Sequence, residues 1–152
     1  MTTKTAHAAL EIDAPVEQVW GLVRDFGRIA AWHPLVRSSV TDQDGPAQPG
    51  VIRTMTMTDG VVINERLIEL SDPGTVLAYE WTGTPPVAVA EAEVRIRVES
   101  IPDGRSRVSM EGRFAGGEPG AAELAVSVSE STVWPAALRG LAETLTSVQP
   151  WS

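Results

Sequence analysis

Two rhythms of hydrophobic positions run along this chain. Near its C-terminus, Leu124, Val128, Ser131, Trp134, Leu138, Leu141, Leu145 and Val148 recur every three or four residues, which aligns them on one face of a helix from Ala121 to Val148. At the helical rise per residue that span is roughly 40 Å long, well past the average helix, and it needs a broad apolar surface to lie on. A shorter stripe of Val16, Val19, Trp20, Val23 and Phe26 predicts a first helix that Gly27 ends. Asp13 is placed to cap it, and Pro15 falls in its first turn, where a missing N–H costs nothing. Arg28 to Trp32 forms a second short helix, stopped at His33-Pro34 because the residue before proline avoids helical geometry.

The other rhythm has period two. It predicts strands over Thr5–Asp13, Leu35–Thr41, Val51–Thr58, Val61–Leu70, Thr75–Thr82, Val87–Ile101 and Arg107–Phe114. The alternation is clearest in Val87–Ile101, where Ala90, Ala92, Val94, Ile96 and Val98 face inward and Glu91, Glu93, Arg95, Arg97 and Glu99 outward. Val108, Met110, Gly112 and Phe114 face inward on the return strand. Asp59-Gly60 is the strongest hairpin signal. Short turns between neighbouring strands make the sheet antiparallel, and the segregation of helices from strands makes the fold α+β. Residues 1–152 read as a single domain. A long antiparallel sheet twists and curves, so a straight helix across it leaves a gap, the usual place for a small-molecule site. Trp134-Pro135 interrupts the long helix, because proline in a helix interior removes a backbone bond and costs ~3 kcal/mol or more. The helix therefore kinks or begins anew there, either following the sheet's curvature or widening the cavity entrance.

Composition narrows the function more than the fold. The net charge of −8 offers no basic stripe for nucleic acid and no attraction to anionic membranes. No apolar run approaches the ~20 residues of a membrane span, and Met1 to Ala9 lacks the apolar core of a secretory signal. The chain has no cysteine and two histidines, which fits a cytoplasmic location and makes a tetrahedral zinc site improbable. Nothing has the strand–loop–helix context of a phosphate or dinucleotide motif, so no cofactor is expected.

The order strand, two helices, six strands, long helix, together with Glu11-Ile12-Asp13-Ala14-Pro15-Val16-Glu17-Gln18-Val19-Trp20, resembles the START-like (SRPBCC) helix-grip superfamily that includes the birch pollen allergen. Within it the chain most resembles the bacterial polyketide cyclase/dehydrase and lipid-transport group. Supporting patches are Trp32-His33-Pro34, Gly50 to Arg53, Asn64 to Leu67, Met110 to Phe114 and Ala136 to Leu141. The resemblance implies a curved seven-stranded antiparallel sheet wrapped on the C-terminal helix, with an internal cavity. The fold hosts binders, carriers, cyclases and hydrolases, so it does not by itself identify a reaction. Positions carried over from the more distant plant abscisic acid receptors put Arg37 where those proteins hold a ligand carboxylate, and place Glu65, Tyr79, Ala90, Ala92, Ser129 and Val133 in the pocket.

Arg37, taken as pointing inward, would grip a carboxylate or enolate in two-pronged fashion. Glu65 in an apolar cavity would have its pKa raised by desolvation or lowered by a nearby arginine, and in the first case could serve as a general acid or base. A structural ion pair, or an Arg37 in solvent, is the plain alternative. His33 is either a proton relay or a helix stop with a satisfied ring; His7 reads as surface. Met55, Met57 and Met110 would line a pliable pocket or merely fill a core. Tyr79 and Trp81 would wall the ligand, alongside Ala90, Ala92, Phe114, Val133 and Ala137. Arg53 would balance Glu65 or Glu69 across the hairpin. Two functions are carried forward. One is a binder of a small hydrophobic or aromatic ligand bearing an acidic or carbonyl group, anchored by Arg37. The other is a cyclase/dehydrase-type enzyme of bacterial secondary metabolism, in which Glu65 moves protons and Arg37 stabilises an enolate. A regulatory protein with a vestigial cavity is a third. A homodimer is left open.

Overall fold

The computed structural model describes residues 2–146. Seven strands form one antiparallel sheet: β1 (Thr3–Ile12), β2 (Val36–Thr41), β3 (Ile52–Met57), β4 (Val62–Ser71), β5 (Val76–Thr82), β6 (Glu91–Ile101) and β7 (Arg105–Ala115), in the order β1-β7-β6-β5-β4-β3-β2. Only the β1–β7 neighbours are distant in sequence. Between β1 and β2 lie α1 (Val16–Arg24) and a 3₁₀ segment (Phe26–Ala31). After β7 come α2 (Ala121–Val128), a π-helical segment (Ser129–Val133) and α3 (Trp134–Thr146). This is the helix-grip architecture, with the C-terminal helix lying over one face of the sheet.

The local chemistry accounts for most of these elements. Val19, Trp20 and Val23 bury the inner face of α1, and Phe26 is fully buried just beyond it. The alternation in β6 is as the sequence predicts from Ala92 onward, with Val94, Ile96 and Val98 buried. Asp13 does not cap α1: the cap position is Pro15, with no side-chain cap bond, and Asp13 lies 3.7 Å from Arg105. Gly27 does not end the helix either. α1 stops at Arg24, and Gly27 sits inside the 3₁₀ segment, where an added Cβ would meet the Thr41 methyl at 2.8 Å.

The long helix differs from its predicted stripe in the first half. Leu124 and Ser131 are exposed and Val128 is about one-third exposed, while Ala121, Ala122, Ala125 and Ser129 are buried. The face turned toward the sheet is made of small residues, and Ala125 and Ser129 leave open space in front of them. From Trp134 onward Leu138 and Leu141 are buried as expected; Val148 lies outside the described residues. The interruption at Pro135 is resolved by a wider turn. In a regular helix Ser131 would receive the Pro135 N–H, which proline lacks. The π segment absorbs this, with the Trp134 N–H reaching back to the Ser129 carbonyl. Residues four apart drift by about 40° per step on an α-helix. The extra width of the π turn resets that drift, so that Ala125, Ser129, Val133 and Ala137 all reach the same cavity.

Candidate functional site

Between the helix layer and the curved face of the sheet lies a cavity of about 110 Å³. Its sheet wall is built from β3 (Arg53, Met55, Met57), β4 (Ile63, Glu65), β5 (Leu77, Tyr79, Trp81), β6 (Val94, Ile96) and β7 (Met110, Phe114). Its helix wall is built from Val23, Ile29, Trp32 and His33 on one side and Ala125 to Ala137 on the other. Pro86 and Val87 close it at the β5–β6 loop. The lining is overwhelmingly apolar.

Eleven of the pocket residues singled out from the sequence line this space: His33, Met55, Met57, Glu65, Tyr79, Trp81, Met110, Phe114, Ser129, Val133 and Ala137. Three do not. Arg37 is exposed. Val36 takes the inward position opposite Met57, and a bulge between Val36 and Ser38 leaves Arg37 as the extra residue of the strand, turned outward with Ser38. Arg37 therefore cannot anchor a ligand in the cavity. Ala90 precedes β6 and is exposed, because that strand begins four residues later than the alternation suggests. Ala92 is buried opposite Phe114, but the cavity starts one step further along β6, at Val94.

The cation in the cavity is Arg53. The β3–β4 hairpin sets it directly opposite Glu65. The turn encloses three residues, Thr58, Asp59 and Gly60, with Met57 N–H bonded to Val61 O at 2.8 Å, and Gly60 has φ of 91°. This is the loop in which a left-handed glycine follows a turn. A two-residue loop would have placed Arg66 opposite Arg53. The Arg53 guanidinium donates from Nε (2.9 Å) and Nη2 (2.7 Å) to Glu65 Oε1, and from Nη1 to the Phe26 carbonyl (3.0 Å). Its carbon lies 3.9 Å from the Phe26 ring centroid and 4.8 Å from that of Tyr79, so both rings contact the cation. The second Glu65 oxygen accepts from Trp81 Nε1 at 3.2 Å. Burial pushes the Glu65 carboxyl above its ordinary range, and Arg53 and Trp81 restrain the rise. Burial likewise raises the Tyr79 hydroxyl, so it stays protonated.

His33 is buried, stacked on Trp32 at 5.9 Å. Its Nδ1 accepts the Leu35 backbone N–H at 3.2 Å, which leaves the proton on Nε2. Desolvation, aided by the charge of Arg53, lowers its pKa to about 4. A histidine held neutral in this way binds fewer protons than in the unfolded chain between pH 4 and about 6.5. Stability is therefore complete above pH 6.5 and lost as pH falls toward 4. Between pH 7 and pH 4.5 the expected loss attributable to His33 is about 2 kcal/mol at 1.36 kcal/mol per unit. Urea unfolding at pH 7 and pH 4.5 measures it. His33→Asn, which keeps an acceptor for Leu35, should flatten the difference; an unchanged difference would show that other groups carry it.

Sequence reasoning underrated Arg53 and passed over Trp32 as a wall residue. The signal for Arg53 was present: it shares the inward phase of Met55 and Met57. Reading it required the length of the turn.

A model of the family described as polyketide cyclase / dehydrase and lipid transport matches residues 3–149. The chain is 28% identical to a Thermobifida fusca protein solved by solution NMR, with a TM-score of 0.82 over 95% of each chain. It is 25% identical to the Bacillus cereus protein XoxI, with a TM-score of 0.80 over 96% of each chain. A Bacillus thuringiensis protein of uncharacterised function shares the fold, with a TM-score of 0.81 at 24% identity, over 94% of this chain and 99% of that one. No curated protein matches the sequence.

Proposed function

This chain belongs to the polyketide cyclase / dehydrase and lipid transport family, and we propose that its own task is to hold a small, largely apolar molecule in the cavity between the C-terminal helix and the sheet. One observation carries this reading: the enclosed space is lined mainly by aliphatic, aromatic and thioether side chains, and the one ion pair that lines it among the described residues is internally closed. An apolar cavity of roughly 150 Å³ takes up benzene, so a hollow of about 110 Å³ suits a single ring or a short chain. Met55, Met57 and Met110 can yield to something somewhat larger. A folded polycyclic intermediate would require the helix to lift from the sheet.

The same geometry weighs against proton transfer by Glu65. A general base needs an oxygen aimed at the substrate, whereas Oε1 of this carboxylate already accepts two Arg53 donors and Oε2 accepts the Trp81 indole. Its role in this reading is to neutralise Arg53 and orient Trp81. The exposed Arg37 has no part in binding.

The test is direct. Ethylbenzene added to the protein should shift the methyl resonances of Met55, Met57 and Met110. Ala137→Phe, which fills the space from α3, should abolish those shifts while the protein still unfolds cooperatively. Shifts confined to surface residues, or binding that survives Ala137→Phe unchanged, would overturn the reading. Native mass spectrometry of freshly purified protein would then search for a retained molecule.

A further inference from the structure

The polar groups around the cavity divide into two sets. The charged groups on the sheet side are paired: Arg53 and Trp81 both donate to Glu65, Arg53 also donates to the Phe26 carbonyl, and the Tyr79 ring lies against Arg53. The polar groups on the helix side are not paired. The Trp32 indole N–H is buried with no partner. His33 presents a Nε2–H that no described residue accepts, since its only side-chain bond is made through Nδ1. Ser129, on the π segment, makes no side-chain hydrogen bond with a described residue. All three line the cavity and are only 7%, 6% and 6% exposed. Of the three, Trp32 Nε1 is fully cut off from solvent; the other fully buried unpartnered side-chain atom among the described residues, Ser39 Oγ, lies outside this cavity.

A buried donor without an acceptor is uncommon in folded proteins and is destabilising where it persists. The Trp32 indole is one such donor, and with the uncommitted His33 and Ser129 groups beside it, on the wall opposite a closed ion pair, it amounts to a recognition surface without its counterpart. Their chemistry is specific. Indole N–H donates only, and the neutral imidazole tautomer fixed by Leu35 also donates through Nε2. The serine hydroxyl can do either. None carries a charge. Arg53 is the single permanent cation lining the cavity among the described residues, and Glu65 already neutralises it at 2.7 Å. An incoming carboxylate would leave water without an uncommitted countercharge and would lie near Glu65, which is unfavourable in a dry site.

We propose that Trp32, His33 and Ser129 form the polar wall that selects the ligand, and that the cavity takes an uncharged molecule with a carbonyl oxygen, a ketone or ester on a ring-sized apolar body, in preference to a carboxylic acid. This rests on the cavity being the binding site, and it replaces an Arg37-anchored acid with a neutral acceptor. The π turn has a direct part in it, because it holds Ser129 inward while Val133 and Ala137 continue the same wall.

Three probes of one size separate the outcomes: acetophenone, ethylbenzene and benzoate. Titrations at pH 7 are followed through the cavity methionine methyls and the Trp32 indole N–H by NMR. One recovered hydrogen bond predicts that acetophenone binds about tenfold tighter than ethylbenzene and moves the Trp32 indole proton. Benzoate should bind at least tenfold more weakly than acetophenone. Trp32→Phe and Ser129→Ala should each narrow the gap between ketone and hydrocarbon. If Trp32→Phe does not fold, the wild-type preference and the indole shift decide the matter. Ethylbenzene bound in the cavity as tightly as acetophenone, or benzoate bound as well as the ketone, would overturn the proposal and leave the cavity reading standing. Failure of all three probes to reach the methionines would overturn both.

Discussion

Arg53→Met is expected to cost roughly 3–5 kcal/mol of folding stability near neutral pH, the usual penalty for stranding one member of a buried pair. The substitution removes both donors to Glu65 Oε1 and the bond to the Phe26 carbonyl. It also removes the cation contacted by Phe26 and Tyr79. What remains is a carboxyl 4% exposed, held by Trp81 alone. The pH dependence follows from the sign of the shift. Burial already pushes Glu65 upward, and without Arg53 nothing of opposite charge restrains it. A group whose pKa is raised on folding contributes stability below its unfolded pKa, and that stability is lost as pH rises through the folded value. The single variant should therefore be far closer to wild type at pH 5 than at pH 8. The double variant Arg53→Met with Glu65→Leu removes both charges and should recover most of the loss. Urea unfolding of the three proteins at both pH values checks the set. A single variant as stable as wild type at pH 8 would mean that the pair is not buried as described.

The second large effect is expected at a residue with no side chain. Gly140 lies on α3 where the helix passes the Trp32–Pro34 corner. A Cβ there would sit 2.0 Å from the Trp32 carbonyl oxygen and 2.6 Å from Pro34 Cδ. The obstacle is backbone, with no flexible end to swing aside. Gly140→Ala, which on helix propensity alone would stabilise by up to ~1 kcal/mol, should instead destabilise by about 3 kcal/mol, the upper end of overpacking. That corresponds to a fall in Tm of roughly 10 °C for a domain of this size. The corner it displaces carries both Trp32 and His33, so ligand discrimination should suffer even at temperatures where the variant is folded. Thermal unfolding paired with the acetophenone titration reads both. A Tm at or above wild type would show that the helix and the corner are further apart than these distances.

Much of the architecture was legible because it depends on periodicity, which is local. Alternation located seven strands, turn chemistry joined them antiparallel, and the interval of three to four placed the helices. The mismatch between a straight helix and a twisted sheet gave the cavity. Where the reading slipped, a one-residue phase was at stake. In the first half of the C-terminal helix, Leu124 and Val128 share a helical stripe with Trp134 and Leu138, yet they are exposed to solvent. The inward face there is carried by alanine and serine, and a π turn lies between the two halves. In β2 a bulge turns Arg37 away from the cavity. In the β3–β4 hairpin a three-residue turn, in place of two, matches Arg53 with Glu65.

By itself, then, the sequence determined the class of fold, the order of its elements, the presence of a hollow and most of the apolar residues around it. Hydrophobic burial needs only the right face of each element, and spacing encodes faces. The tertiary structure decided which charge enters the hollow, what neutralises it and which donors are left free. Those depend on register, bulges and turn length, where shifting a strand by one residue exchanges its inner and outer faces, and on contacts between residues far apart in the chain.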